Sequence, residues 1–231
     1  MTKRGVIFVV LACVAALAAP ALGARPVPAS VSAYLLGPKL IRAEIVVKGS
    51  TVHDYRLDRG KLIKRSNGRS LNLLERDGTK TSVKAAPGAR VFLNGALTTL
   101  KRLRAGTQIA VSHDGDLPAN AVFASTKQAP KWSQSVVTLM LGNRLVRAEI
   151  ALQDTALHDY RLDHGRIKQV GVFTLLLGEP DGTDVTIDIS PGARVKVNGK
   201  SASFAQLRKG MMATTMRDGD KPADQVFAAG G

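Results

Sequence analysis

The chain carries one segment twice, and that repetition confines it to folds made of two copies of one small unit. Leu36 to Asp58 reads LGPKLIRAEIVVKGSTVHDYRLD and Leu141 to Asp163 reads LGNRLVRAEIALQDTALHDYRLD, identical at 13 of 23 positions at an offset of 105. After a one-residue gap the match resumes at an offset of 104. It runs through Asp77-Gly78-Thr79 with Asp181-Gly182-Thr183, Pro87-Gly88-Ala89-Arg90 with Pro191-Gly192-Ala193-Arg194, Asn94-Gly95 with Asn198-Gly199, and Val122-Phe123-Ala124 with Val226-Phe227-Ala228. A period near 100 residues is too long for a solenoid unit and suits a complete small domain.

The N-terminus reads as an export signal over residues 1–24. Lys3 and Arg4 precede an apolar run from Val6 to Ala19, and small residues follow. That run is shorter than the roughly 20 residues a membrane span needs, and no later stretch approaches that length. Val10-Leu11-Ala12-Cys13 has the look of a lipidation box, but Cys13 comes early and apolar residues continue past it, which favours ordinary cleavage and export. Cleavage removes the only cysteine, so the mature chain is expected to have no disulfide, thiolate metal site or cysteine nucleophile. Each copy must then hold itself together through its apolar core.

Within the second copy, Thr183 to Ile189 alternates strictly: Val185, Ile187 and Ile189 face one side, Asp184, Thr186 and Asp188 the other. This is the pattern of a half-buried strand. Thr174 to Leu177 pairs with it across Pro180-Asp181-Gly182 as a hairpin. A further strand, Arg194 to Val197, follows the Pro191-Gly192 turn, and Phe204 and Leu207 mark a short helix stopped at Gly210. Met211–Met216 and Asp224–Ala228 complete the set. The expected fold is mainly β: two tandem small β-barrels, OB-like or SH3-like, each with one short helix. The barrels span 31–126 and 135–229, joined by a linker at 127–134.

Charge sets the register of the opening hairpin. A loop of Gly49-Ser50-Thr51 places Arg42 across from Asp58 and Glu44 across from Arg56, with Val47 opposite His53; the second copy places Arg147 with Asp163, Glu149 with Arg161 and Leu152 with His158. A slip of one residue mixes the faces, and a slip of two sets like charges together.

Two polar features compete as functional sites. His53-Asp54-Tyr55-Arg56 and His158-Asp159-Tyr160-Arg161 would suit a metal or acid–base site built on His53 and His158. The structural alternative is stronger, because neighbouring residues of a strand point to opposite faces and cannot easily grip one ion. His113 and His164 have no counterpart in the other copy and are expected in turns or on the surface. The other feature is a basic surface confined to the first copy. Residues 25–130 hold 18 Lys and Arg against 7 Asp and Glu; residues 131–231 hold 13 against 11. Arg59, Lys61, Lys64, Arg65 and Arg69 crowd one stretch, and Lys101, Arg102 and Arg104 another. Lys80 and Lys84 stand where the second copy has Asp184 and Asp188. The fold tolerates either sign there, so these ten cations are candidates for an anionic partner such as a wall polymer or a membrane surface. Ten aromatics in the whole chain are too few for obvious base-stacking platforms, so sequence-specific nucleic-acid reading is not expected. No G-x-S-x-G elbow, H-E-x-x-H pair or P-loop occurs, and neither an enzyme nor a cofactor is indicated.

The order D-G-T, alternating strand, V-x-V-N-G, L-x-x-L-x-x-G, strand is carried by Asp77-Gly78-Thr79, Val91-Phe92-Leu93-Asn94-Gly95 and Leu100 to Gly106, and by Asp181-Gly182-Thr183, Val195 to Gly199 and Phe204 to Gly210. It resembles the small β-barrel domains of unknown function found in many exported bacterial proteins. The resemblance covers the last 50 to 60 residues of each copy. It implies an exported barrel without an assigned reaction and brings no catalytic residues. The expected role is a non-enzymatic binding or structural module of the cell envelope or exterior; metal binding through His53 and His158 and a spacer domain pair are the alternatives.

Overall fold

The computed structural model describes residues 26–66 and 69–230; residues 1–24, expected from sequence to be an export signal, lie outside them. The order is α1 (Ala29–Leu35), β1 (Leu40–Lys48), β2 (Val52–Ser66), β3 (Ser70–Leu74), β4 (Lys80–Leu93), β5 (Ala96–Thr98), β6 (Gln108–Asp114), β7 (Ala119–Ser125), then α2 (Gln134–Leu141), β8 (Leu145–Gln153), β9 (Leu157–Val170), β10 (Thr174–Gly178), β11 (Asp184–Val197), β12 (Lys200–Ala202), β13 (Met212–Asp218) and β14 (Ala223–Ala229).

In the first copy β2, β3, β4, β7 and β6 form a ring, each hydrogen-bonded to the next and β6 back to β2. The pairing of β4 with β7 is parallel and the rest antiparallel. Strands β9, β10, β11, β14 and β13 close the same ring in the second copy. Closure removes the exposed sheet edges that invite aggregation. The interior of each ring takes the alternate apolar residues of its strands, Leu62, Leu71, Leu73, Val83 and Ile109 in the first and Ile167, Leu175, Leu177 and Ile187 in the second.

Two local expectations change. Pro191-Gly192 does not separate two strands: β11 runs through it, and the break shows as a register shift between Ile189 and Arg194 against β14. Such an irregularity bends a strand so that its two halves serve different neighbours, here β10 before it and β14 after. The short helix after it is a single 3-10 turn, Phe204–Gln206, matched by Leu100–Arg102. The longer helices, α1 and α2, precede the strands instead. Ser133, read as linker, caps α2 by accepting a hydrogen bond from the Val136 amide.

The opening hairpin has the register deduced from charge. Arg42 lies opposite Asp58, Glu44 opposite Arg56 and Val47 opposite His53; Arg147, Glu149 and Leu152 lie opposite Asp163, Arg161 and His158. Strand β1 also pairs antiparallel with β8, so the two copies share one sheet. The pairing is self-complementary: Glu44 meets its own counterpart Glu149, Ala43 meets Ile150, and Ile45 meets Ala148. Residue i facing the counterpart of j while j faces the counterpart of i is the rule of a two-fold dimer interface, realised within one chain. A third core lies along this seam, with Leu35, Leu40, Ile45 and Leu57 against Leu141, Leu145, Ile150 and Leu162. Two equivalent glutamates directly opposed would repel. Each is instead held by its hairpin arginine, Glu44 by Arg56 at 3.3 Å and Glu149 by Arg161 at 3.7 Å.

Candidate anion-binding site

The ring of the first copy leaves an open depression of about 960 Å³ between the end of β2 and the 3-10 turn that follows β5. Lys64 and Arg65 come from β2, and Lys101, Arg102 and Arg104 from the turn. The placement follows from the local pattern. Leu62 and Leu103 point into the barrel, so the residues beside them must face water. Arg65 donates to the Leu100 carbonyl at 3.0 Å, which ties the two basic segments together. Among the described residues no carboxylate lines the depression. Its counterpart in the second copy replaces Lys64, Arg65, Lys101 and Arg102 by Gln169, Val170, Ala205 and Gln206. There Lys168 is tied to Asp184.

The ten sequence candidates divide. Five gather in the depression. Lys61, Arg69 and Lys80 are exposed elsewhere on the same barrel, and Lys84 lines a separate cleft beside Arg42, Glu44, Arg56 and Asp58. Among the described residues none of these nine has a carboxylate within ion-pair reach. Arg59 does not belong to this surface. It is 4% exposed, donates to the Gly37 and Pro130 carbonyls, the latter at 2.8 Å, and lies over the Trp132 ring at 5.7 Å. Burial lowers its pKa to about 10, so it remains a cation, held internally by carbonyls and an aromatic face.

Each hairpin histidine has both ring nitrogens engaged. His53 Nδ1 is 2.7 Å from Asp114 and Nε2 is 3.0 Å from Thr51. His158 Nδ1 is 3.1 Å from Asp218 and Nε2 3.3 Å from Asp154. Each ring stacks on the tyrosine two residues along, at 5.8 and 5.3 Å. Among the described residues no group of three or more His, Cys, Asp or Glu is placed to hold a metal ion. His113 and His164 are strand residues, not turn residues. His113 bonds Asp58 at 3.0 Å, and that bond raises its pKa. The equivalent Arg217 serves Asp163 in the same way, also at 3.0 Å. His164 is buried against Thr214, and burial lowers its pKa to about 4.

The charge pairs of the hairpin are half as the register suggests. Arg42 faces Asp58 in register, yet its guanidinium turns to Glu75 and Asp77; Arg147 turns to Glu179 and Asp181 and not to Asp163. These acids belong to the turns after β3 and β10, where Asp77 and Asp181 also accept from the Thr79 and Thr183 amides at 2.9 Å. The signal was present in the sequence: Glu-x-Asp-Gly-Thr recurs at 75–79 and 179–183. Burial raises the Glu179 carboxyl to about 7 and moves Glu75 in the same direction. Both clusters are structural clasps between the opening hairpin and the barrel and recur in both copies, whereas the basic depression belongs to the first copy. Comparison of the chain with known protein families, characterised proteins and solved structures gives no match.

Proposed function

We propose that this is an exported, non-catalytic binding protein made of two duplicated OB-like barrels, the first of which holds an anionic polymer or surface of the cell envelope. The observation that carries the reading is the gathering of Lys64, Arg65, Lys101, Arg102 and Arg104 around one depression without a carboxylate, in one copy only. The ring order first–second–third–fifth–fourth, with third and fifth parallel, supports the OB-like form over the SH3-like one. Barrels of that kind commonly bind polymers along strand faces and connecting loops. Clustered cations raise the local concentration of a polyanion and act through many weak, salt-screened contacts.

Binding of the mature chain to inorganic polyphosphate, and separately to vesicles containing anionic lipid, tests this across a salt series. Affinity is expected to fall steeply with salt, and replacing Lys101, Arg102 and Arg104 by glutamate is expected to weaken it about 100-fold, in keeping with several lost charge-assisted contacts. The same charge change at Arg194, Lys200 and Lys209 of the second copy is expected to weaken it about threefold or less, through net charge alone. A salt-independent affinity, or equal losses from the two triple variants, would refute a site on the first barrel.

A further inference from the structure

The two-fold relation between the copies exposes one place where they differ in filling. The segment preceding α2 crosses the first barrel and sets Trp132 against it. The indole meets Phe123 edge-on at 6.3 Å, Phe123 stacks on Phe92 at 5.5 Å, and Arg59 covers the indole. The equivalent segment preceding α1 crosses the second barrel, bringing Pro26 and Pro28 beside Phe227. Phe227 matches Phe123, but Trp132 is matched by Val27, Phe92 by Lys196 and Arg59 by His164. The aromatic plug is gone, and a cavity of about 510 Å³ remains between the proline segment and the barrel. That volume is within the range of small-molecule sites.

We propose that this cavity binds a small aromatic anion, a flat ring about the size of an indole carrying a carboxylate, seated as Trp132 is seated in the first copy. Three observations specify the ligand. Phe227 and Met212 provide an apolar wall and floor, and Pro26 and Pro28 the opposite side. His164 presents a flat imidazole where Arg59 has its guanidinium, and its low pKa keeps it neutral at physiological pH, so it adds no charge that would demand a counter-ion. Lys196, standing where the first copy has a phenyl ring, is exposed, lines the cavity, and has no carboxylate partner among the described residues, nor does any carboxylate line the cavity. An aromatic body fits the apolar walls, and an anionic substituent answers the lysine. This site lies on the second barrel and stands independently of the polyanion reading.

Titration of the full chain with indole-3-acetate, followed by amide chemical shifts, tests it. Saturable shifts are expected at Lys196, Met212, Ala229 and Gly230. Lys196→Glu is expected to weaken indole-3-acetate about tenfold and to leave neutral indole within about twofold. Ala229→Trp, which sets an indole on the wall of the cavity, is expected to weaken both probes about tenfold; the unchanged remainder of the spectrum reports that the chain is folded. Should Ala229→Trp disturb the fold, Lys196→Glu decides alone. Shifts centred on Lys101 to Arg104, indole-3-acetate binding indifferent to Lys196→Glu, or no saturable shift up to about 10 mM, as when the chain's own residues ahead of Pro26 fill the cavity, would each overturn the proposal. So would shifts at these amides that follow dilution of the protein and not addition of the probe, which would make a second copy the occupant.

Discussion

Gly60→Ala and Gly165→Ala are each expected to destabilise the chain by about 3 kcal/mol, the upper end of what an added methyl costs in a closed interior. On a chain of this size that corresponds to a fall in melting temperature of about 6–12 °C. Neither glycine is needed for a left-handed backbone; the reason is contact. A Cβ at Gly60 would stand 2.7 Å from the Leu74 carbonyl oxygen and 3.1 Å from the Leu73 Cβ. At Gly165 it would stand 2.6 Å from the Gly178 oxygen and 2.8 Å from its carbonyl carbon. Apart from the Leu73 Cβ, itself fixed to the backbone, these are backbone atoms of the neighbouring strand of the ring, so they cannot swing aside as the end of a side chain could. Both glycines sit where a long strand leaves one partner for another. β2 pairs with β1 through Asp58 and with β3 from Lys61, and β9 makes the same exchange between Asp163 and Arg166. Glycine at such a corner admits close approach of a neighbouring strand. Gly49→Ala supplies the contrast: a Cβ there meets nothing closer than 3.8 Å, so its effect is expected within about 0.5 kcal/mol. Urea unfolding of the three variants decides the matter; a Gly60→Ala protein as stable as Gly49→Ala would mean that the ring is not closed at Leu74.

How far the fold could be read beforehand depends on the range of the interaction involved. The β1–β2 register was legible because Arg42, Glu44, Arg56 and Asp58 alternate over a short loop and only one pairing sets opposite charges together. Ring closure could be argued only as a class, from many short alternating strands. The corner glycines carry no local signal, since their constraint comes from a strand more than ten residues away. Helix α1 has neither an N-terminal side-chain cap nor acidic residues in its first turn, so it offered little local signal. The pairing of β1 with β8 was invisible for a different reason: reading each copy separately cannot show that Glu44 meets Glu149 across an axis between them.

The candidate site shows the same division. Five cations around the depression were legible from crowding, and four of them also from their absence in the second copy, where only Arg104 keeps a basic counterpart, Arg208. Arg59 was misread because its number in the chain places it among them, whereas its environment is set by the path of residues 130–132 over the barrel. Arg42 was given the wrong acid because register specifies which Cα atoms are opposed and not where a long side chain goes. Glu75 and Asp77, brought in by the next hairpin, offer two acceptors with little exposure, against one at Asp58 already engaged by His113. The cavity on the second barrel required the two structures side by side, since it is defined by a missing indole.

Arg147→Met is expected to destabilise the chain by about 3 kcal/mol at pH 8 and by roughly 1.4 kcal/mol less at pH 5. The Glu179 side chain is 1% exposed, and Arg147 is its cationic partner. Removing the arginine leaves a buried carboxylate without compensation, the situation in which a broken pair costs most; the value is set at the low end because Arg147 is itself 41% exposed. The pH dependence follows from proton binding. Glu179 is raised by burial to about 7 from an ordinary 4.5, so between these values the folded chain holds a proton that the unfolded chain has released. Stability therefore declines as pH rises from 4.5 to 7, and Glu179→Gln, which imitates the neutral acid, is expected to flatten that decline. His164 acts in the opposite sense. Its folded value of about 4 lies below 6.5, so the unfolded chain binds the extra proton and stability rises with pH across that interval. The two trends overlap, which makes the difference between wild type and Glu179→Gln the clean measurement. In Arg147→Met the carboxyl loses its cation and is protonated more readily still, which removes the Glu179 part of the penalty as pH falls and leaves the part owed to Asp181. Combining Arg147→Met with Glu179→Gln is expected to recover at least half of the loss at pH 8, because, of the two acids that Arg147 serves, only Asp181 is then left charged, and it keeps the Thr183 amide. Chemical denaturation at the two pH values reads all four proteins. A loss from Arg147→Met of equal size at pH 5 and pH 8, or a double variant no more stable than the single one, would show that Arg147 acts by packing its stem against the sheet and not by neutralising Glu179.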